Sequence, residues 1–281
     1  MCCVARSRPL DDLCTGFDWL TEADLVDNEF NRLSMLYVGV PTLRAQLDRV
    51  LAEDGSPGKE AEVLQLLVEA KALDLRLKGW YDFLPDLWRP RSVASLSGIL
   101  DDSETAEVWP GLIHVYTNLF IASVVNNYRA IRIFTHSIVV RCLDWLAAAN
   151  NLLGQVADYD QSFYVLRQMT DDICSSVPYH LGYRLSEKKT TSSSASEEKA
   201  AEAVGGYLLI YPLFVTSCIE CVPEEQKTWI RGRMRALASK YGLNQAAHLS
   251  QRRISNLARK HISPFAKDDS STCGVALTLS A

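Results

Sequence analysis

Between residues 59 and 81, Val63, Leu66, Leu67, Ala70, Leu73, Leu77 and Trp80 recur at steps of three and four. That spacing returns each side chain to one face of an α-helix and predicts a continuous apolar stripe. The same periodicity runs through most of the chain, while strict apolar and polar alternation over four or more residues is nearly absent. The pattern predicts an all-α fold, a single array of packed, partly long helices spanning residues 1–267.

A first helix is expected over 21–36 through Leu25, Leu33 and Leu36, with Thr21 and Asp24 at its start. A second over 41–52 uses Leu43, Leu47, Val50 and Leu51, and the turn formers at 54–58 end it. Residues 110–146 carry Tyr116, Leu119, Phe120, Ser123, Asn127, Ala130, Ile131, Phe134 and Ile138 in helical register, a span that suggests long paired helices. A further helix over 160–177 aligns Phe163, Leu166, Thr170, Ile173 and Val177, and Pro178 is expected to close it. Residues 184–203, rich in Ser, Thr, Lys and Glu, read as a mobile loop. Pro223, followed by Glu224 and Glu225, opens a helix whose Ile230, Met234, Leu237 and Tyr241 share a face before Gly242. A last helix is expected over 243–262, and a disordered tail over 268–281.

With 48% hydrophobic and 22% charged residues, the chain has the apolar material for a core. Its net charge of -5 is uneven, because residues 227–267 hold Lys and Arg but no Asp or Glu. A solvated helix face is the expected role of that segment, with a nucleic-acid or acidic-partner surface as the alternative. The cysteines are scattered, with no apolar leader before them, and read as reduced thiols of an intracellular protein. Residues 203–219 form the most apolar stretch, uncharged throughout but shorter than the ~20 residues of a membrane span and interrupted by Gly205, Gly206 and Pro212. A buried helix is expected there, and no membrane association.

Catalytic chemistry finds little support. Cys218 and Cys221 would share a helix face, but a zinc site needs about four ligands and His114, His136, His180, His248 and His261 do not gather around them in sequence. Core packing is the expected role of both thiols. No phosphate-binding glycine loop or Gly-x-Ser-x-Gly elbow occurs, and Asp171 and Asp172, being adjacent, point apart on a helix. The sequence therefore predicts no catalytic, metal or cofactor residues. Trp80, Tyr81, Phe83, Trp88, Trp109, Tyr116 and Trp145 are expected in the core or between helices, with a small-molecule pocket as the competing role.

Five segments carry a resemblance: LDLRLKGWYDFLPDLWRP at 73–90, YRAIRIFTHSIVVRCLDWL at 128–146, DDICSSVPYHLGY at 171–183, GGYLLIYPLFVTS at 205–217 and TWIRGRMRALASKYGLNQAAHL at 228–249. In residues and order they resemble the C-terminal regulatory region of fungal binuclear zinc-cluster transcription factors. The residues that carry the likeness are Trp80, Pro85, Trp88, Tyr128, Cys174, Pro178, Gly182, Gly206, Pro212, Trp229 and Gly242. The resemblance implies a non-catalytic domain that regulates transcription through partner or effector binding, in the nucleus. Its implied partners are proteins of the transcription machinery or a full-length relative, with a small-molecule effector as a further possibility. The six-cysteine spacing that reads DNA in that family does not occur in these residues, so no specific DNA binding by this chain is expected. The alternative is a stand-alone helical adaptor that binds protein partners and has lost DNA binding.

Overall fold

A computed structural model of the protein describes residues 28–53, 58–98, 102–150, 156–182 and 195–252. The chain forms α1 (Glu29–Tyr37), α2 (Gly39–Ala52) and α3 (Lys59–Asp82), then a 3-10 turn at Asp86–Trp88. A two-stranded ribbon of β1 (Arg91–Leu96) and β2 (Gly111–Val115) follows. The helices α4 (Leu119–Asn150), α5 (Val156–His180), α6 (Ala195–Ser217), α7 (Glu224–Tyr241) and α8 (Asn244–Ser250) complete it.

The fold is mostly helical, as the periodicity predicts, but not purely so. The span expected to be helical from residue 110 opens with β2, which pairs antiparallel to β1 from Arg91 opposite Val115 to Leu96 opposite Gly111. Gly111 takes a φ of 124°, a conformation that side-chain-bearing residues avoid and that no helix could begin on. The helix proper starts only after Asn118, whose side chain accepts the Ile121 N–H at 2.9 Å as an N-cap.

Helix α4 is the axis of the molecule. It packs against α2, α3, α5 and α6 and is buried without a break from Tyr128 to Val140. The one-sided stripe expected for it is therefore replaced by burial all round, and Phe120, placed on that stripe, is instead 55% exposed. One core joins α1 to α8 through Leu47, Leu77, Ile133, Phe134, Leu143, Leu166, Leu213 and Trp229.

Several boundaries differ from expectation. Helix α1 begins at Glu29, with Asn28 accepting the Asn31 N–H at 2.9 Å, whereas the expected start at Thr21 and Asp24 lies outside the described residues. Pro178 does not close α5 but sits inside it, and the chain leaves the helix at Gly182 with φ of 68°. Proline removes one N–H and disturbs one turn, which tight packing tolerates near a helix end. Helix α6 begins at Ala195, inside the segment expected to be a loop, and the rest of that loop lies outside the described residues. The last helix ends at Ser250 rather than near 262, and the tail at 268–281 is likewise outside. Residues Lys199–Ser217 are long and apolar enough, by length and composition, to cross a membrane, and here α6 packs against α4, α5, α7 and α8.

Candidate functional site

A buried helix that carries charge must supply each charge with a partner, because an ion in a low-dielectric interior is costly alone. Along α4, Asn126, Arg129, Arg132 and His136 are buried, and Arg129, Arg132 and His136 share one face by their spacing of three and four. Their partners come from neighbouring elements, and two polar layers result.

In the first layer Arg129, 1% exposed, donates from Nη1 to the Tyr116 hydroxyl and to Asn126 Oδ1, each at 2.7 Å. Its Nη2 points at His114 Nδ1, 3.5 Å away, and its Nε lies 3.9 Å from Asp172 Oδ2. Asn126 donates in turn to Ser176 Oγ at 2.8 Å, and His180 Nδ1 donates to the Ser176 carbonyl at 3.0 Å. The layer thus fastens the end of the ribbon, α4 and α5 together. Burial pulls His180 and His114 down to about 4, with Arg129 adding repulsion in both cases, so both rings are neutral near pH 7.

In the second layer Arg132 grips Asp74 of α3 from Nε at 2.7 Å and Nη2 at 2.9 Å, a bidentate pair. His136 Nε2 lies 3.1 Å from the same carboxylate, close but not aligned as a hydrogen bond. Burial raises the Asp74 carboxyl, but contacts to His136 and Arg132 outweigh it and hold the group well below the usual carboxylate range. Tyr128 stacks on Tyr81 with ring centres 4.9 Å apart and leans on Trp80 at 5.2 Å, and burial pushes its hydroxyl above the ordinary range.

The residues that carry the resemblance are dispersed among packing roles. Trp80 donates its indole N–H to the Glu29 carbonyl at 2.9 Å. Pro85 caps the 3-10 turn, and Trp88 meets Phe120 edge-on at 6.1 Å. Cys174 is buried with Gln226 Nε2 at 3.6 Å from its sulfur, and burial pushes its thiol up. Pro178 and Pro212 lie inside α5 and α6. Gly182 and Gly242 take left-handed conformations at helix ends, with φ of 68° and 69°. A Cβ on Gly206 would come 2.8 Å from Leu237, and one on Gly205 would sit 1.8 Å from the His180 carbonyl, so Gly205 is the more demanding position. Trp229, fully buried, donates to the Ala106 carbonyl at 2.9 Å. Gly232 and Arg233 press against the same 102–106 turn, Arg233 donating to the Thr105 carbonyl at 2.6 Å.

Helix α6 ends at Ser217, so Cys218 and Cys221 lie in the following turn and do not share a helix face as expected. Both are half-buried, and burial raises the Cys221 thiol, away from the thiolate that metals and disulfide chemistry require. Among the described residues no group of three or more His, Cys, Asp or Glu could hold a metal ion. Asp171 and Asp172 do point apart, the first accepting from Gln226 at 2.8 Å and the second facing Arg129. Both border an open groove of about 490 Å³ along α5, with Phe163, Tyr164 and Arg167. In the basic segment Lys227 and Arg233 are buried, while Arg235 and Lys240 pair with Glu104 and Glu202. These four cations are held within the fold, while Arg253, Arg259, Lys260 and Lys267 of the same segment lie outside the described residues.

The sequence missed both polar layers. Their signal was present, since Arg129, Arg132 and His136 recur at three and four within the stretch buried from Tyr128 to Val140, but their partners come from distant segments.

The chain is 26% identical over 221 residues to the transcription factor dbaG of Emericella nidulans. That likeness covers 78% of this chain, which spans about half, 51%, of the length of the relative. It supports a transcription-factor-related protein. No family model matches the chain, and no solved structure matches it.

Proposed function

We propose that the chain is the helical regulatory region of a fungal transcription factor of the binuclear zinc-cluster kind, acting through partner or effector binding in the nucleus and without catalysis. The single observation that carries this reading is the likeness to dbaG across 78% of the chain. The polar layers are consistent with it. Each arginine in them is engaged by a neighbouring element of the same fold: Arg132 by Asp74, and Arg129 by Tyr116 and Asp172, with Asn126 of its own helix beside them. Such layers fix the register between helices, a role that needs no substrate.

On this reading, the chain makes no sequence-specific contact with DNA. Lys227, Arg233, Arg235 and Lys240 of α7 are engaged within the chain, and solvated Lys or Arg would bind phosphate without reading bases. The groove beside Tyr164 and Asp172 offers an effector a route to a polar layer, because Asp172 belongs to both.

Transcript levels compared between cells with and without the chain test the proposal. A discrete set of transcripts that changes on removal and returns on re-expression is expected. An unchanged transcript profile would overturn it.

A further inference from the structure

Helix α3 is apolar on two opposite faces. Val63, Leu66, Leu67, Ala70, Leu73, Leu77 and Trp80 are buried against the core. On the far side Leu64, Val68 and Leu75 are 40%, 60% and 70% exposed, and Phe83, just past the helix, is 86% exposed. Ala61, Ala72 and Gly79 fill the same line. An exposed helix face ordinarily carries charge, and a line of apolar and small residues with a seven-residue repeat at Ala61, Val68 and Leu75 is instead the pattern of a seam between two helices.

The charges bordering this line are sorted along the helix. Glu60, Glu62 and Glu69 lie in its first half, whereas Lys71, Arg76 and Lys78 lie in its second, with Asp82 the one acid beside them at the C-terminal end. Glu62 and Lys71 contact Arg49 and Asp158 of the same chain, and Lys78 makes an exposed pair with Asp82 one turn on, a surface pair of the kind that contributes little, so Glu60, Glu69, Arg76 and Lys78 remain within reach of a partner at the seam. When two copies of such a helix lie antiparallel about a two-fold axis near its middle, residues on one flank stay on that flank. By spacing, Glu60 and Lys78 share one flank and Glu69 and Arg76 the other. The acidic end of each copy then faces the basic end of the other, while a parallel pair would set like charges together.

We propose that the outer face of α3 is a self-association surface on which a second copy of this chain lies antiparallel, with Val68, Ala72 and Leu75 at the centre of the contact. The seam rests on α3 alone and stands whether or not the transcriptional reading does. Its size sets the strength. The 24-residue helix is about 36 Å long, and a strip about 10 Å wide on each partner gives on the order of 700 Å² for the pair. Phe83 and Leu87, also exposed, carry the total towards the ~1,000 Å² of a small specific interface. Reversible dimerisation in the micromolar range is expected, not a permanent dimer.

Sedimentation of the full chain from about 1 to about 100 µM, a range that brackets micromolar affinity, tests this. A concentration-dependent dimer is expected. The double substitution Val68→Glu with Leu75→Glu should raise its dissociation constant at least ~10-fold, about 1.4 kcal/mol, while the helical spectrum stays unchanged because both side chains face outward. A charge test fixes the contact. A chain with Glu60→Lys and Glu69→Lys, and another with Arg76→Glu and Lys78→Glu, should each be monomeric alone and should pair when mixed. A chain monomeric throughout the range, a dimer that survives Val68→Glu with Leu75→Glu, or charge variants that self-associate as the native chain does would each overturn the proposal.

Discussion

Gly232 of α7 and Glu104 of the preceding turn meet backbone to backbone, so that a Cβ at residue 232 would stand 2.0 Å from the Glu104 carbonyl oxygen. The contact is one of several that hold the 102–106 turn on α7: Trp229 donates to Ala106, Arg233 to Thr105, and Arg235 pairs with Glu104. Backbone cannot swing aside as a side chain does, so the turn must lift if residue 232 gains a methyl group.

Gly232→Ala should therefore destabilise the fold by about 2 kcal/mol or more, the range of core overpacking. For a chain of this size, thermal unfolding should begin several degrees lower, at ~2 to 4 °C per kcal/mol. Gly79→Ala, with nothing within 4 Å of the added methyl, should instead stabilise α3 by about 0.5–1 kcal/mol. Equal melting temperatures for the two variants would show that the turn is not seated as described.

Asp74 faces two side chains at once, the Arg132 guanidinium and the His136 ring. Asp74→Leu should cost about 3–5 kcal/mol, because it strands a buried guanidinium. Adding Arg132→Met should recover much of that loss, since the pair is then replaced by apolar side chains of similar bulk. Urea unfolding of the two single variants and the double variant checks this. Additive losses would mean that the two side chains do not act as a pair.

Acid should unfold the protein in two stages. His180 and His114 titrate near pH 4 in the fold but near 6.5 when unfolded. Between those values the unfolded chain holds more protons, so stability present above pH 6.5 is lost as pH falls towards 4. Asp74 acts in the same sense at lower pH: its folded carboxyl is held low, so its contribution is fully present above the unfolded value near 3.8 and is lost as pH falls below it. Urea midpoints at about pH 7.5, 6 and 4.5 should decline steadily, and His180→Gln should shallow that slope. A flat profile across this range would contradict the buried neutral state of His180.

The helices were legible wherever one face met the core, as in α3 and α7, because burial on a single side leaves a readable period. It was least legible in α4. There the neighbours surround the helix, so the period gives way to near-continuous burial and the charges at Arg129 and Arg132 carry the information instead. The partners of those charges, Asp74, Tyr116 and Asp172, come from a helix, a strand end and another helix that only the tertiary fold brings together. Pro178 misled for a related reason. Local chemistry favours ending a helix there, and packing around Val177 and Leu181 carries α5 on to His180. Gly111 was the unread sign of the ribbon, since its positive φ is a property of the backbone and not of any pattern in its neighbours.

Tethering tests the transcriptional reading most directly. The full chain, fused to an unrelated module that binds a defined DNA site, is brought to a reporter and the reporter RNA is measured. The fused chain should change that RNA severalfold relative to the module alone, and Trp229→Ala, which removes a buried side chain worth about 3–5 kcal/mol, should abolish the change. Reporter RNA equal to that of the module alone, with the fusion shown to be folded and nuclear, would contradict the assignment.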